Sequence, residues 1–327
     1  MKRNLLYLML LFSAASFGQK PVPVIFDTDI APDYDDVGAI AILHALADRG
    51  EARILATMSS NAFETTAPTL SVFNTYFRRP EIPIGITKTD LPNTACGQGW
   101  AQAIIQQYPH ALKSNLDAWD AVSLYRKILS SSPDSSVVII TVGFFTNLAR
   151  LMDSKPDGYS PLSGMQIISK KVKRLVSMAA RIDQEGPGGY EFNVAVDPAS
   201  SKKVFSAWPT PVIISGFEIG LKILTGIRLI HNDSISNSPV KDAFRIALTK
   251  DSNAVGRNSW DETAVLVAVR GIEPNFGSRR LNLEIRDDGK DVVIPGEKFT
   301  YLTFKRPPEE MARLLEDLMM HQPGETR

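Results

Sequence analysis

Pro23-Val-Ile-Phe26-Asp27-Thr-Asp29-Ile-Ala-Pro-Asp33-Tyr-Asp35-Asp36 is the stretch whose reading decides the fold. Pro23 to Phe26 read as a short buried strand. Asp35-Asp36 then open a helix with Val37, Ile40, Leu43 and Ala47 on one face. At this strand-to-helix junction five carboxylates fall within ten residues, with no Lys or Arg among them. Helix N-termini favour carboxylates, so Asp35 and Asp36 can act as caps worth about 0.3–1 kcal/mol each. Capping accounts for one or two of the five. The others repel one another and raise their own pKa values unless a divalent cation joins them. Carboxylate ligands with no Cys or His nearby suit a hard ion, Ca²⁺ or Mg²⁺.

The same rhythm continues outward. Arg53–Met58 reads as a second strand and Glu64–Phe77 as a second helix. Ala121–Leu129 is helical, Ser136–Thr141 a strand, and Thr146–Met152 another helix. Arg174–Met178 and Thr210–Ile214 add two strands. Strands alternating with helices predict a mostly parallel, Rossmann-like sheet flanked by helices, with ligands at the carboxyl ends of its strands. Residues 281–285 and 298–304 break the rhythm around Asp287-Asp288-Gly289, which predicts a small β-hairpin or a pair of edge strands. Pro307-Pro308-Glu309 begins a closing helix with Met311, Leu314, Leu315 and Leu318 at helical spacing. No Gly/Ser-rich or Pro-rich linker interrupts the chain and no repeat recurs. The expected fold class is α/β, in a single domain.

Composition removes several function classes. The 327 residues hold 36 Lys+Arg and 36 Asp+Glu, so a formal charge of zero argues against coating nucleic acid or an anionic membrane. A single Cys excludes a disulfide framework and Cys-rich metal sites. Lys2 and Arg3, the apolar run Leu5–Phe12 and the small residues up to Gly18 form the pattern of a secretory signal. The expected division is a signal peptide over 1–18 and one domain over 19–327, slightly acidic once the leader is gone. That predicts a secreted or periplasmic protein with no membrane contact in mature form.

Three familiar acidic or phosphate-binding motifs can be tested on residues 27–36. An EF-hand needs an oxygen donor and a Gly where Ala31 and Pro32 stand. A dinucleotide turn needs glycines, and none is present. Haloacid-dehalogenase-type phosphatases open with Asp-x-Asp-x-Thr, which Asp27-Thr-Asp29-Ile-Ala31 approaches. A metal-dependent phosphatase using Asp27 is therefore one reading, although it leaves Asp35-Asp36 unexplained.

Later segments favour another. Thr141-Val-Gly-Phe-Phe-Thr-Asn147 follows a buried strand, Tyr190-Glu191-Phe192-Asn193 precedes Asp197-Pro198, and Ser259-Trp260-Asp261-Glu262 opens an apolar helix. Together with residues 27–36, in this order from about Val22 to Met320, they resemble the inosine-uridine-preferring nucleoside hydrolase family. The resemblance implies that family's fold, a nucleoside-like small-molecule substrate, a homo-oligomer, and hydrolysis of the N-glycosidic bond of a ribosyl compound with Ca²⁺. It implies that Asp29, Asp36, Asp261 and the Thr141 backbone carbonyl hold the metal, and that Asp29 is also the base for the attacking water. Asp35, Glu191 and Asn193 would bind ribose, with Asn61 near the sugar and Asp27 shaping the loop. Such chemistry passes through an oxocarbenium-like state and needs an activated water on one face of the sugar.

Three departures touch the nucleobase half. Some members carry a His before the distal Asp as the acid for a purine base; here Trp260 stands there, read as base stacking or as packing. The four His, His44, His110, His231 and His321, lie outside every matched motif. Gln184-Glu185-Gly186-Pro187 replaces the family's loop Asn, and the first loop is two residues longer. A periplasmic ribosyl-ligand-binding protein without catalysis is the third reading. Lys170-Lys171-Val-Lys173-Arg174 reads as a solvated lead-in to a strand, Cys96 as an uninvolved thiol, and Trp100, Trp119 and Trp208 as packing.

Overall fold

The computed structural model describes residues 20–89, 92–182 and 189–324. The expected leader and the segment Gln184–Pro187 lie outside the described residues. Eleven strands are described: β1 (Val22–Thr28), β2 (Ala52–Ser59), β3 (Ile84–Ile86), β4 (Trp119–Asp120), β5 (Val137–Thr141), β6 (Val172–Met178), β7 (Val212–Ser215), β8 (Leu224–Thr225), β9 (Arg257–Asn258), β10 (Phe276–Ile285) and β11 (Asp291–Phe304). Nine form one sheet in the order β10-β11-β7-β6-β5-β1-β2-β3-β4. Every neighbouring pair is parallel except β10 with β11.

The central strands are apolar on both faces because helices cover both. Val24 and Phe26 of β1 enter one core, while Ile25 enters the other; Val138 and Ile140 of β5 part in the same way from Val137 and Ile139. Helices Asp35–Asp48, Thr66–Tyr76, Pro239–Lys250, Trp260–Arg270 and Pro308–Met319 contribute to the first core. Helices Ala121–Ser131, Thr146–Asp153, Gly164–Lys171 and Pro198–Ala207 build the second.

The expected α/β fold is present, with the differences at its margins. The C-terminal hairpin is longer than the sequence pattern predicts, and Thr300 and Tyr301 of β11 pair with Ile213 and Ile214 of β7, so it extends the main sheet. A separate two-stranded ribbon, β8 with β9, was not foreseen. Of the basic run, Lys170 and Lys171 close helix Gly164–Lys171 against its C-terminal dipole, whereas Lys173 and Arg174 lie within β6, Arg174 donating to the Ala268 carbonyl.

From β1 the chain builds outward through β2, β3 and β4, then returns to place β5 on the other side of β1 and continues through β6 and β7. The order reverses between β1 and β5, where Asp27 lies opposite Thr141. Strand ends part at such a reversal and leave a crevice. Gly143 lets them approach: a Cβ there would stand 2.3 Å from the Asp29 amide nitrogen.

Candidate active site

A cavity of about 250 Å³ opens at this crevice. Its charged and polar lining is Asp29, Asp33, Asp35, Glu191, Asn193, Arg257 and Asp261; Val142, Met178, Phe192, Phe217 and Trp260 supply the apolar part. Elements distant in sequence deliver these groups. Asp29 follows β1, Asp35 begins helix Asp35–Asp48, Glu191 caps helix Phe192–Val196, and Asp261 lies in the first turn of helix Trp260–Arg270.

The acids are buried and crowd one another. Burial holds the Asp29 carboxyl well above its usual range, with Asp33 adding to the effect. Asp36 is raised by burial and then by Asp29 and Asp35; Asp261 is raised by burial and then by Asp35 and Asp36. Thr28 donates its hydroxyl to Asp36. Among the described residues no basic side chain forms an ion pair with Asp29, Asp36 or Asp261. The trio whose oxygens lie within 4.8 Å of one another is Asp33, Asp35 and Asp36. Asp33 and Asp35 already share Arg257, whose Nη2 lies 2.6 Å from Asp33 Oδ2 and 2.7 Å from Asp35 Oδ1. Asp29, Asp36 and Asp261, with Glu262 beside them, are therefore acids here without a basic partner among the described residues, and oxygen donors in that state suit a hard divalent ion, although their oxygens are not gathered within 4.8 Å as those of the first trio are.

The ribose candidates divide their polar atoms between fold and cavity. Glu191 accepts from the backbone amides of Asn193 at 3.0 Å and Val194 at 3.2 Å, yet still lines the cavity, with burial pushing its carboxyl up to about 7. Asn193 donates from Nδ2 to the carbonyls of Val142 and Met178 at 3.0 and 3.3 Å. Asp35 is pushed up to about 8 by burial against the pull of Arg257.

Three expected site residues lie behind the cavity lining: Asn61, Thr141 and Asp36, the last buried with its carboxylate accepting from Thr28. Asn61 donates to the Asp29 and Thr94 carbonyls at 2.9 and 2.8 Å and accepts from the Phe63 and Thr94 amides. Its amide is committed to backbone, so it brackets the Asp29 loop. Thr141 is fully buried at the end of β5, its hydroxyl without a hydrogen-bond partner among the described residues. Asp27 is equally sealed, accepting from Tyr125 Oη at 2.8 Å and from Asn147 Nδ2 at 3.1 Å. Its carboxylate ties β1 to helices Ala121–Ser131 and Thr146–Asp153 rather than to the loop that follows, and a nucleophilic role in phosphoryl transfer has no access there.

Trp260 both packs and lines. Its ring stacks on Phe217 at 5.2 Å, its Nε1 donates to the Phe217 carbonyl at 2.8 Å, and a Cβ on Gly220 would collide with it. None of the four His lines the cavity. Arg257 and Phe217 were not singled out from sequence, and Asp33 and Phe192 were quoted within motifs but given no role. Arg257 sits in the two-residue strand β9, too short for any periodic signal, and its partner Asp35 is 222 positions away. Glu262 was missed in its own right: it is fully buried against Gly38 with both oxygens unpartnered among the described residues.

A cavity rich in carboxylates, without His or Cys, at the reversal point of a parallel sheet defines an α/β protein suited to hold a hard cation beside a small polar ligand. The chain belongs to the inosine-uridine preferring nucleoside hydrolase family, whose model matches residues 24–308. It is 30% identical over 217 residues to the pyrimidine-specific ribonucleoside hydrolase RihA of Salmonella agona (strain SL483), which covers 61% of this chain and 61% of that protein. The chain thus spans about three-fifths of the length of the curated relatives it matches. Among solved structures, the plant nucleoside hydrolase PpNRh1 superposes with a TM-score of 0.67 at 19% identity, covering 92% of this chain and 99% of that one. The purine-preferring ribonucleoside hydrolase from Gardnerella vaginalis gives 0.67 at 15% identity, with 91% and 96% covered. At these identities the two structures speak for the fold.

Proposed function

We propose that the protein hydrolyses the N-glycosidic bond of a ribonucleoside or related ribosyl compound with the help of Ca²⁺. The observation that carries this reading is the convergence of Asp29, Asp35, Glu191, Asn193 and Asp261 on one cavity at the β1–β5 reversal. Asp29, Asp36, Asp261 and the Thr141 carbonyl would hold the ion, which supplies a lowered water pKa and a template for the sugar hydroxyls when bound. Asp29 takes the proton of the attacking water. Asp35, its Oδ1 engaged by Arg257, accepts from a ribose hydroxyl, and Asn193 holds the sugar from the other strand end. Glu191 favours the positive charge that develops on the ring as the bond to the base opens.

The relatives' names carry different bases, pyrimidine in one and purine in another, so they do not choose the leaving group. The pattern in residues 1–18 supports a secreted or periplasmic setting, and the family resemblance supports a homo-oligomer. The reading is tested by stripping the protein of metal with a chelator and assaying reducing sugar released from a nucleoside panel, with and without added Ca²⁺. Release that returns with Ca²⁺ is expected. Calorimetric binding of ribose and Ca²⁺ without turnover of any nucleoside would instead select a non-catalytic ligand-binding protein.

A further inference from the structure

With no His in the cavity lining, its cationic group is of another kind. Arg257 is the one basic residue in the described cavity lining. Its guanidinium lies 4.9 Å from the centre of the Trp260 ring and 5.1 Å from that of Tyr34. Nε donates to Asp35 Oδ1 at 3.0 Å, and Nη2 bonds Asp35 and pairs with Asp33. Nη1 has no hydrogen-bond partner among the described residues.

The residue is well anchored. Arg257 lies opposite Thr225 in the β8–β9 ribbon, Ser259 N donates to the Ile223 carbonyl at 2.9 Å, and the Ser259 and Thr225 hydroxyls meet at 2.8 Å. The cation is thus fixed between a sugar-binding carboxylate, Asp35, and the aromatic wall made by Trp260 and Phe217. With ribose on Asp35 as in the proposed function, its base would come against this cation.

We propose that Arg257 receives the leaving base, its Nη1 donating to a carbonyl oxygen next to the glycosidic nitrogen, and so selects pyrimidine-type nucleosides. The proposal rests on the hydrolase reading and adds to it the leaving-group residue and the substrate class. In the step, the C1′–N bond breaks with both electrons passing to the ring nitrogen. The water oxygen bonds to C1′ and its proton goes to Asp29. The base departs as an anion whose charge spreads onto the adjacent carbonyl, where the guanidinium meets it; a solvent proton neutralises it after release. A pyrimidine carries that carbonyl at C2. A purine has none beside its glycosidic nitrogen.

The test is steady-state kinetics of the Ca²⁺-loaded protein on uridine, inosine and 4-nitrophenyl β-D-riboside, for the wild type, R257Q and R257K. The nitrophenolate leaves without assistance, so it reports loss of sugar binding alone. Wild type should prefer uridine to inosine. R257Q should lose about 100-fold in kcat/KM on uridine and far less on the nitrophenyl riboside, with R257K recovering part of the uridine rate. If R257Q fails to fold, the same selective loss is expected, smaller, in R257K, which keeps the charge but not the planar fork. Equal losses on all substrates would overturn the proposal, because Arg257 would then serve only to hold Asp33 and Asp35. A wild-type preference for inosine would overturn it too. No turnover of any of the three by wild type would bring down the hydrolase reading and this proposal with it.

Discussion

Asp29 is placed by backbone contacts. Asn61 holds its carbonyl, and Gly143 leaves room for its amide at the end of β1. Its carboxyl is free to act because the fold does not rely on it. Asp29→Asn keeps the shape and removes the proposed proton acceptor, so kcat should fall about 1000-fold while the thermal midpoint stays near that of wild type. Stopped nucleoside assays beside a melting curve check this; a matched loss of folding would contradict it. Asp29, Asp35 and Asp36 were legible in the sequence because their repulsion is concentrated in ten contiguous residues. Arg257, which compensates Asp33 and Asp35, was not, because it reaches them only through tertiary folding. Asn61 shows the converse: its position after the second strand was readable, but the commitment of its amide to four backbone partners was not.

The β1–β5 pair shows how strands create the crevice. A methyl at Gly143 would press on the Asp29 amide and the Thr28 carbonyl carbon, both backbone atoms that cannot swing aside. Gly143→Ala should cost about 1–3 kcal/mol in urea unfolding and weaken Ca²⁺ binding in calorimetry; an unchanged affinity would separate the strand junction from the site. Central strands β1 and β5 were readable because they present apolar runs bounded by polar turns. β3, β4, β8 and β9 span two or three residues each, below the length at which any period exists. Helices Pro198–Ala207 and Pro239–Lys250 left a signal that went unused. Each has Pro at its first position, after a capping Asp197 or Ser238 that accepts from the third residue's amide.

The two cores on either side of the sheet set the stability of the whole, and one buried histidine ties it to pH. His44 stacks on Phe77 at 4.6 Å and meets Asn74 Oδ1 at 3.2 Å. Burial lowers its pKa from 6.5 to about 3, so between these values only the unfolded chain holds the proton. Its contribution to stability is complete above pH 6.5 and is lost as the pH falls, by at most about 1.4 kcal/mol per pH unit. Unfolding free energies measured from pH 7 to 4 should fall less steeply for His44→Leu than for wild type; parallel curves would contradict the assignment. The acidic cavity is the feature on which function depends, and its claim is that one cation and one sugar share the end of β1. The most direct test is a crystal structure of the protein soaked with Ca²⁺ and ribose, read by anomalous scattering. The predicted result is one ion bound by Asp29, Asp36 and Asp261 with ribose against Asp35, Glu191 and Asn193. An ion seated instead on Asp33, Asp35 and Asp36 with Arg257 displaced, or no ion and no sugar in the cavity, would contradict it.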